Sequence, residues 1–184
     1  NVAKKSMSSY AFRQEFMASF EALGSEIFKE DWVVFGDDPD EGDYYIAVDL
    51  AGFADVAKAS NAKSKRLDTT AIAVVKANTE GWFVEDIIYG RWDIKKTAKK
   101  IFDAVDKYKP ISVGIEKGAL KNAVLPYLTD LMKSNQRFFR VEELTHGNQK
   151  KIDRIVWALQ GRFENGQVTL NEGPWNTEFC DQLF

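Results

Sequence analysis

Cysteine and histidine each occur once in this chain of 184 residues, and proline only four times. A single thiol, Cys180, excludes an internal disulfide framework and any metal site built from several cysteines. Its neighbours Phe179 and Phe184 mark it as a small apolar side chain. The one histidine, His146, stands before a Gly-Asn turn and reads as structural, not as a general base. No apolar run approaches the roughly 20 residues a helix needs to span a bilayer, and the N-terminal residues lack the apolar core of a secretion signal. The expectation is a soluble, intracellular protein with no membrane partner. No Gly-x-x-x-x-Gly-Lys-Ser/Thr stretch occurs, which excludes ATP hydrolysis of the P-loop kind within this piece. Excess positive charge is also missing: the net charge is -3, so a uniformly basic nucleic-acid binder is excluded, though local basic patches are not.

What is present describes a folded globular protein. Hydrophobic residues make up 45% and aromatics 13%, with five Trp and thirteen Phe, enough for one domain with or without an appendage. The basic residues cluster: Lys58, Lys63, Lys65 and Arg66; Lys95, Lys96, Lys99 and Lys100; Lys150, Lys151 and Arg154. Such runs are usually solvated faces.

The element order is readable. Residues 1–36 hold a helix start at Ser8 or Ser9, an amphipathic stretch with Phe12, Phe16 and Phe20, and the segment IFKEDWVVF. GDDPDEGD, Gly36 to Asp43, has the composition of a linker or turn. YYIAVDL reads as a strand, followed by a polar loop; TTAIAVVKA and GWFVEDIIYG read as a hairpin about Asn78 to Gly81. Asp93 caps a helix in which Ile94, Ala98, Ile101, Phe102, Val105 and Tyr108 recur at helical spacing. ISVGIEK is a strand; GALKNAVLPYLTDLMKSN is a helix that Pro126 kinks or breaks. RFFRVEEL reads as a further strand, QKKIDRIVWALQGRF as a helix ending at Asn165 and Gly166, QVTLN as an extended piece and the last residues as helical. Three strands in meander, a helical crossover, then strand, helix, strand and helix predict an α/β protein with a mixed central sheet flanked by helices, the order of the ribonuclease H-like fold.

Two acids interrupt this apolar pattern. Asp49 ends YYIAVD and Glu116 ends ISVGIE, where an unpaired charge would cost several kcal/mol. Each could simply cap its strand or meet a lysine. Strand ends are also where open α/β sheets keep their ligand crevices. In a ribonuclease H-like order the two strands lie side by side and parallel, so the two acids become neighbours able to share divalent metal.

The runs GDYYIAVDLAGF, LDTTAIAVV, VGIEKGA and THGNQKKIDRIVWALQGRFENGQVTL, in that order, resemble the C-terminal nuclease domain of the large terminase subunit of tailed bacteriophages, the DNA-packaging motor. SYAFRQEFMASFEALGSEIFKEDWVVF resembles the segment that joins that family's ATPase domain to its nuclease. The resemblance implies residues 1–40 as a linker from an upstream ATPase domain and residues 41–184 as the nuclease domain. It further implies a metal-dependent endonuclease, cutting concatemeric double-stranded viral DNA in the host cytoplasm by two-metal phosphodiester hydrolysis, with the small terminase subunit and the portal as further partners. Two Mg²⁺ or Mn²⁺ ions suit a site of carboxylates without a His or Cys cluster.

Asp49 and Glu116 are then the catalytic metal ligands. Asp68 resembles the family's additional acid near the first, although it could equally cap its strand. Lys117 and Lys121 flank Glu116, and Lys151 and Arg154 match the family's K-x-x-R-I pattern; phosphate contacts would occupy all four. Ion pairing with Asp153 or Glu142 is the plain alternative. The family places a third acid on a helix near the C-terminus, often as Asp-Asp; Asp181 is the nearest residue here, in a setting unlike that motif, so a chain truncated ahead of it is expected. Two other readings stay open: a non-cutting DNA-binding or portal-docking module, and another ribonuclease H-like nuclease such as a junction resolvase.

Overall fold

The computed structural model describes residues 27–53, 69–145, 147 and 150–184. The helix expected near Ser8, most of the polar loop after Phe53 with its cluster of four basic residues, Asp68 and His146 lie outside the described residues. In chain order the elements are a 3₁₀ turn at Glu30–Trp32, β1 (Val34–Phe35), β2 (Asp43–Asp49), β3 (Thr70–Ala77), β4 (Trp82–Gly90), α1 (Ile94–Tyr108), β5 (Ser112–Glu116), α2 (Ala119–Asn135), β6 (Val141–Leu144), α3 (Lys151–Glu164), β7 (Val168–Leu170) and α4 (Asn176–Leu183). They fall into two compact units, Asp38–His146 and Asn1–Asp37 with Gly147–Phe184.

In the first unit the strands lie in the order β4-β3-β2-β5-β6. The meander β2-β3-β4 is antiparallel, while β5 joins β2 in parallel and β6 joins β5 in parallel. The β3–β4 hairpin closes because Asn78 Oδ1 accepts from the amides of Glu80 and Gly81, with Gly81 at φ 157°, a region that favours glycine. Helix α1 starts where Asp93 accepts from the Lys96 amide at 2.7 Å and ends at Lys109, in the left-handed region just before Pro110. Helix α2 runs through Pro126 without a break. Pro126 and Asn122, the residue one turn before it whose carbonyl loses its partner, are both exposed, so water can take up that carbonyl. The expected strand RFFRVEEL is shorter than its pattern, because pairing with β5 spans only Val141–Leu144. Phe139 packs on Phe102 instead.

Alternation decides the core. Ile46, Val48, Ile72, Val74, Val113 and Ile115 share one face of the sheet and bury there against Ala98, Ile101, Ala104 and Val105 of α1 and Val124, Leu128 and Met132 of α2. The opposite face carries no helix from this unit among the described residues. In the second unit β1 and β7 pair in parallel, Val34 with Thr169 and Phe35 with Leu170. Helix α3 buries Val156 and Phe163, the latter edge-on to Phe28 at 5.6 Å.

Candidate metal centre

The parallel register pairs Val48 of β2 with Ile115 of β5, and both of these side chains enter the core. Asp49 and Glu116 are the next residues along each strand. Successive side chains alternate between faces, so both carboxylates leave on the face opposite the core, on strands about 4.8 Å apart. Asp49 is exposed and Glu116 half-buried. Across the same row stand Leu144 beside Glu116, and Ala71 then Tyr89 beyond Asp49. The next row back is Glu142, Gly114, Ala47, Ala73 and Ile87. The small residues Gly114, Ala47 and Ala73 therefore stand behind the two acids, with the Leu144 side chain lying over Gly114.

The chain is pinned where it leaves both acids. The Ala51 amide donates to the buried Thr70 Oγ1 at 3.0 Å, which ties the exit of β2 to the start of β3. The Lys117 amide donates to the Leu144 carbonyl at 2.9 Å, and Gly118 at φ 157° turns the backbone into α2. Thr70 is a bracing residue that composition alone did not single out; its signal was the Thr pair opening the strand.

The predicted basic residues fall into different settings. Lys121 is buried and donates to Glu143 Oε2, and Lys117 Nζ lies 3.5 Å from Glu143 Oε1. Glu143 is the neighbour of Ile115 in the ladder, so it belongs to the core face and not to the row of Asp49. The hydrogen bond from Lys121, aided by both ammonium charges, holds its carboxyl below the usual carboxylate range. Lys121 is thus committed to the sheet, while Lys117 keeps an exposed ammonium at the turn after Glu116. Lys151 and Arg154 lie one turn apart at the start of α3, in the other compact unit. Among the described residues no group of three or more His, Cys, Asp and Glu side chains is placed to hold an ion, so the described donors for metal at the strand ends are two carboxylates.

A second ionisable cluster occupies the far end of β2, and sequence reading missed it. Lys76 is buried, with Nζ 2.9 Å from Asp38 Oδ1, in contact with the Pro39 carbonyl and 5.3 Å from the centroid of the Tyr44 ring. The Asn78 side chain donates to the Glu41 carbonyl. The acidic stretch that reads as a linker is thereby fastened along the sheet at Asp38, Pro39 and Glu41. Burial, then the charges of Glu85 and Asp38, push the Tyr44 phenol far above its usual range; burial also raises Glu85 at the β-bulge. The signal was a lysine in an otherwise apolar strand.

No protein-family model and no curated protein sequence matches the chain. Solved structures do. The nuclease domain of the phage P22 large terminase superposes with a TM-score of 0.55 over 87% of this chain and 79% of that one, at 13% identity. The large terminase nuclease of the thermophilic phage G20c, with bound zinc, gives 0.57 over 85% and 86% at 11% identity, and the same nuclease has been solved with bound magnesium. The large terminase of another thermophilic bacteriophage gives 0.55 at 12% identity; the chain covers 36% of that longer protein. The fold is the ribonuclease H-like α/β fold of terminase nuclease domains, as the element order predicts.

Proposed function

We propose that this chain is the nuclease domain of a large terminase, a metal-dependent endonuclease acting on concatemeric double-stranded viral DNA during genome packaging. The observation that carries the reading is the Val48–Ile115 pairing, which sends Asp49 and Glu116 out together on the open face of the sheet. The likeness to terminase nucleases solved with divalent metal supports it.

Asp49 and Glu116 would hold the metal. Their donors are hard oxygens, which suits Mg²⁺ or Mn²⁺ with water completing the sphere. Held there, two such ions would supply charge relief on the phosphoryl oxygens and a lower pKa for bound water. The protein's own contribution is placement: Thr70 and Gly118 fix the chain beyond each acid, and the floor of Ala47, Ala73 and Gly114 lets a wide, rigid duplex approach. Lys117 takes a phosphate beside Glu116, and Lys151 and Arg154 take further phosphates without regard to sequence. Lys121, tied to Glu143, braces the first turn of α2 against β6. Asp68 adds a supporting acid. The upstream ATPase domain, the small terminase subunit and the portal are the partners this role requires, in the host cytoplasm.

The test is plasmid DNA with Mg²⁺ or Mn²⁺, for the wild type and for Asp49→Ala and Glu116→Ala. Nicking by the wild type that vanishes in both variants supports the endonuclease. Salt-sensitive retention of DNA without nicking identifies a non-cutting binding module. Cleavage confined to four-way junctions identifies a resolvase.

A further inference from the structure

Trp157 is 69% exposed on α3, while the other four tryptophans are half-buried or buried. An indole left in water on a helix whose opposite side buries Val156 and Phe163 is not serving the core. At 3.6 residues per turn, Arg154, Trp157 and Gly161 share one side of α3, Trp157 and Gly161 exposed and Arg154 half-buried, with exposed Lys151 and Ala158 along one border, Asp153 and Glu164 along the other, and exposed Lys150 at the N-cap. A Cβ at Gly161 would meet nothing within 4 Å, so the helix surface one turn after Trp157 is open. The Nε of Arg154, one turn before it, is buried with no hydrogen-bond partner among the described residues.

We propose that this face of α3 is a docking surface for single-stranded DNA, in which Trp157 stacks on an unpaired base and Lys150, Lys151 and Arg154 hold the flanking phosphates. The proposal extends the DNA-cleaving reading. The cations select an anionic partner, and the flat indole selects one that offers flat apolar faces at the spacing of its charges. An intact duplex hides those faces between stacked pairs; an open strand at a cut or frayed end presents them. Stacking on aromatic side chains is the usual sequence-independent device for such strands.

Fluorescence anisotropy in EDTA tests this without any cutting, with wild-type protein, a labelled single strand and a labelled hairpin duplex with closed ends. Trp157→Ala is expected to weaken single-strand binding about tenfold and hairpin binding far less, with Trp157→Phe retaining most of the affinity. Its salt slope should match the wild type, whereas Lys151→Ala should flatten the slope by about 0.7. Single-strand affinity unchanged in Trp157→Ala, an equal loss on both DNAs, or no binding of the single strand by the wild type would each overturn the docking surface. None of these would touch the cleavage reading, which plasmid nicking decides separately. Circular dichroism of the exposed-site variants separates a lost contact from a lost fold.

Discussion

Val48 of β2 and Ile115 of β5 are partners in a parallel ladder, both buried, and each is followed directly by a carboxylate. The apolar pair aims the acids. Because the core claims one face at these positions, alternation gives the next position on both strands to the other face. Two anions held side by side in this way repel one another, and an added cation relieves that repulsion.

Metal should therefore stabilise the folded chain through these two residues. At a concentration of about 100 times its dissociation constant, a bound ion contributes about 2.7 kcal/mol, a rise in Tm of about 5–10 °C for a protein of this size. Differential scanning fluorimetry with Mn²⁺ should show this rise in the wild type and its loss in Asp49→Asn and Glu116→Gln. A wild type indifferent to Mn²⁺ and Mg²⁺ would remove the metal from the site.

Gly114 keeps the floor behind the acids low. A Cβ there would sit 2.8 Å from Leu144 Cδ1 and 3.1 Å from its Cγ. Leu144 is partly exposed and can swing aside, so Gly114→Ala should cost about 1 kcal/mol or less and Gly114→Val about 1–3 kcal/mol. Urea unfolding should show Leu144→Ala restoring part of the loss in the Gly114→Val background, since the two positions are coupled. Strict additivity would deny the contact.

Asp38 and Lys76 fasten the acidic stretch. Asp38→Ala leaves a buried ammonium with the Pro39 carbonyl, the Tyr44 ring and the charge of nearby Glu85. Because the Asp38 side chain is half exposed, the full cost of breaking a buried pair does not apply, and the expected loss is about 1–2 kcal/mol. Lys76→Met removes the charge with its partner's need and should cost less. Urea midpoints of the two variants give the order, and a larger loss for Lys76→Met would refute it.

Glu143 should make stability fall in acid. Its carboxyl titrates below the ordinary 4.5 because Lys121 bonds the ionised form. A lowered carboxylate stabilises the fold above its unfolded value, and that share is lost as pH falls through the folded one. The stability gap between the wild type and Lys121→Met should be widest near neutral pH and narrow as pH falls below the ordinary carboxylate value of 4.5. Urea midpoints at both ends check it; a gap independent of pH would show that Lys121 acts by packing alone.

Much of the fold was legible because its signals are local. Asp93 as a cap, the Asn78–Gly81 turn, the α1 face of Ala98, Ile101 and Val105, and the stop at Gly166 depend on residues within a few positions of one another. The failures were long-range. Pro126 does not break its helix and faces water, and RFFR leaves the strand, Phe139 packing on Phe102 while only the Arg140 carbonyl still accepts from β5, from the Val113 amide. Lys121 reads as a surface cation beside Glu116, yet Glu143, from a different strand, draws it inward. Nothing in the local pattern marks Trp157, and only packing shows that it points away from the core.

The sequence by itself determined most of the strands and helices, though not β1 or the start of β6, and that two apolar strands end in acids; periodicity, caps and turn residues carry that information within short windows. Only the tertiary structure decided that the acids share a face. Side chains alternate with a period of two, so sliding β5 by one residue against β2 would turn Glu116 toward the core while Asp49 stayed in solvent. Register is set by which apolar side chains meet across the sheet, Val48 with Ile115 above all, and that meeting joins parts of the chain that no local window contains.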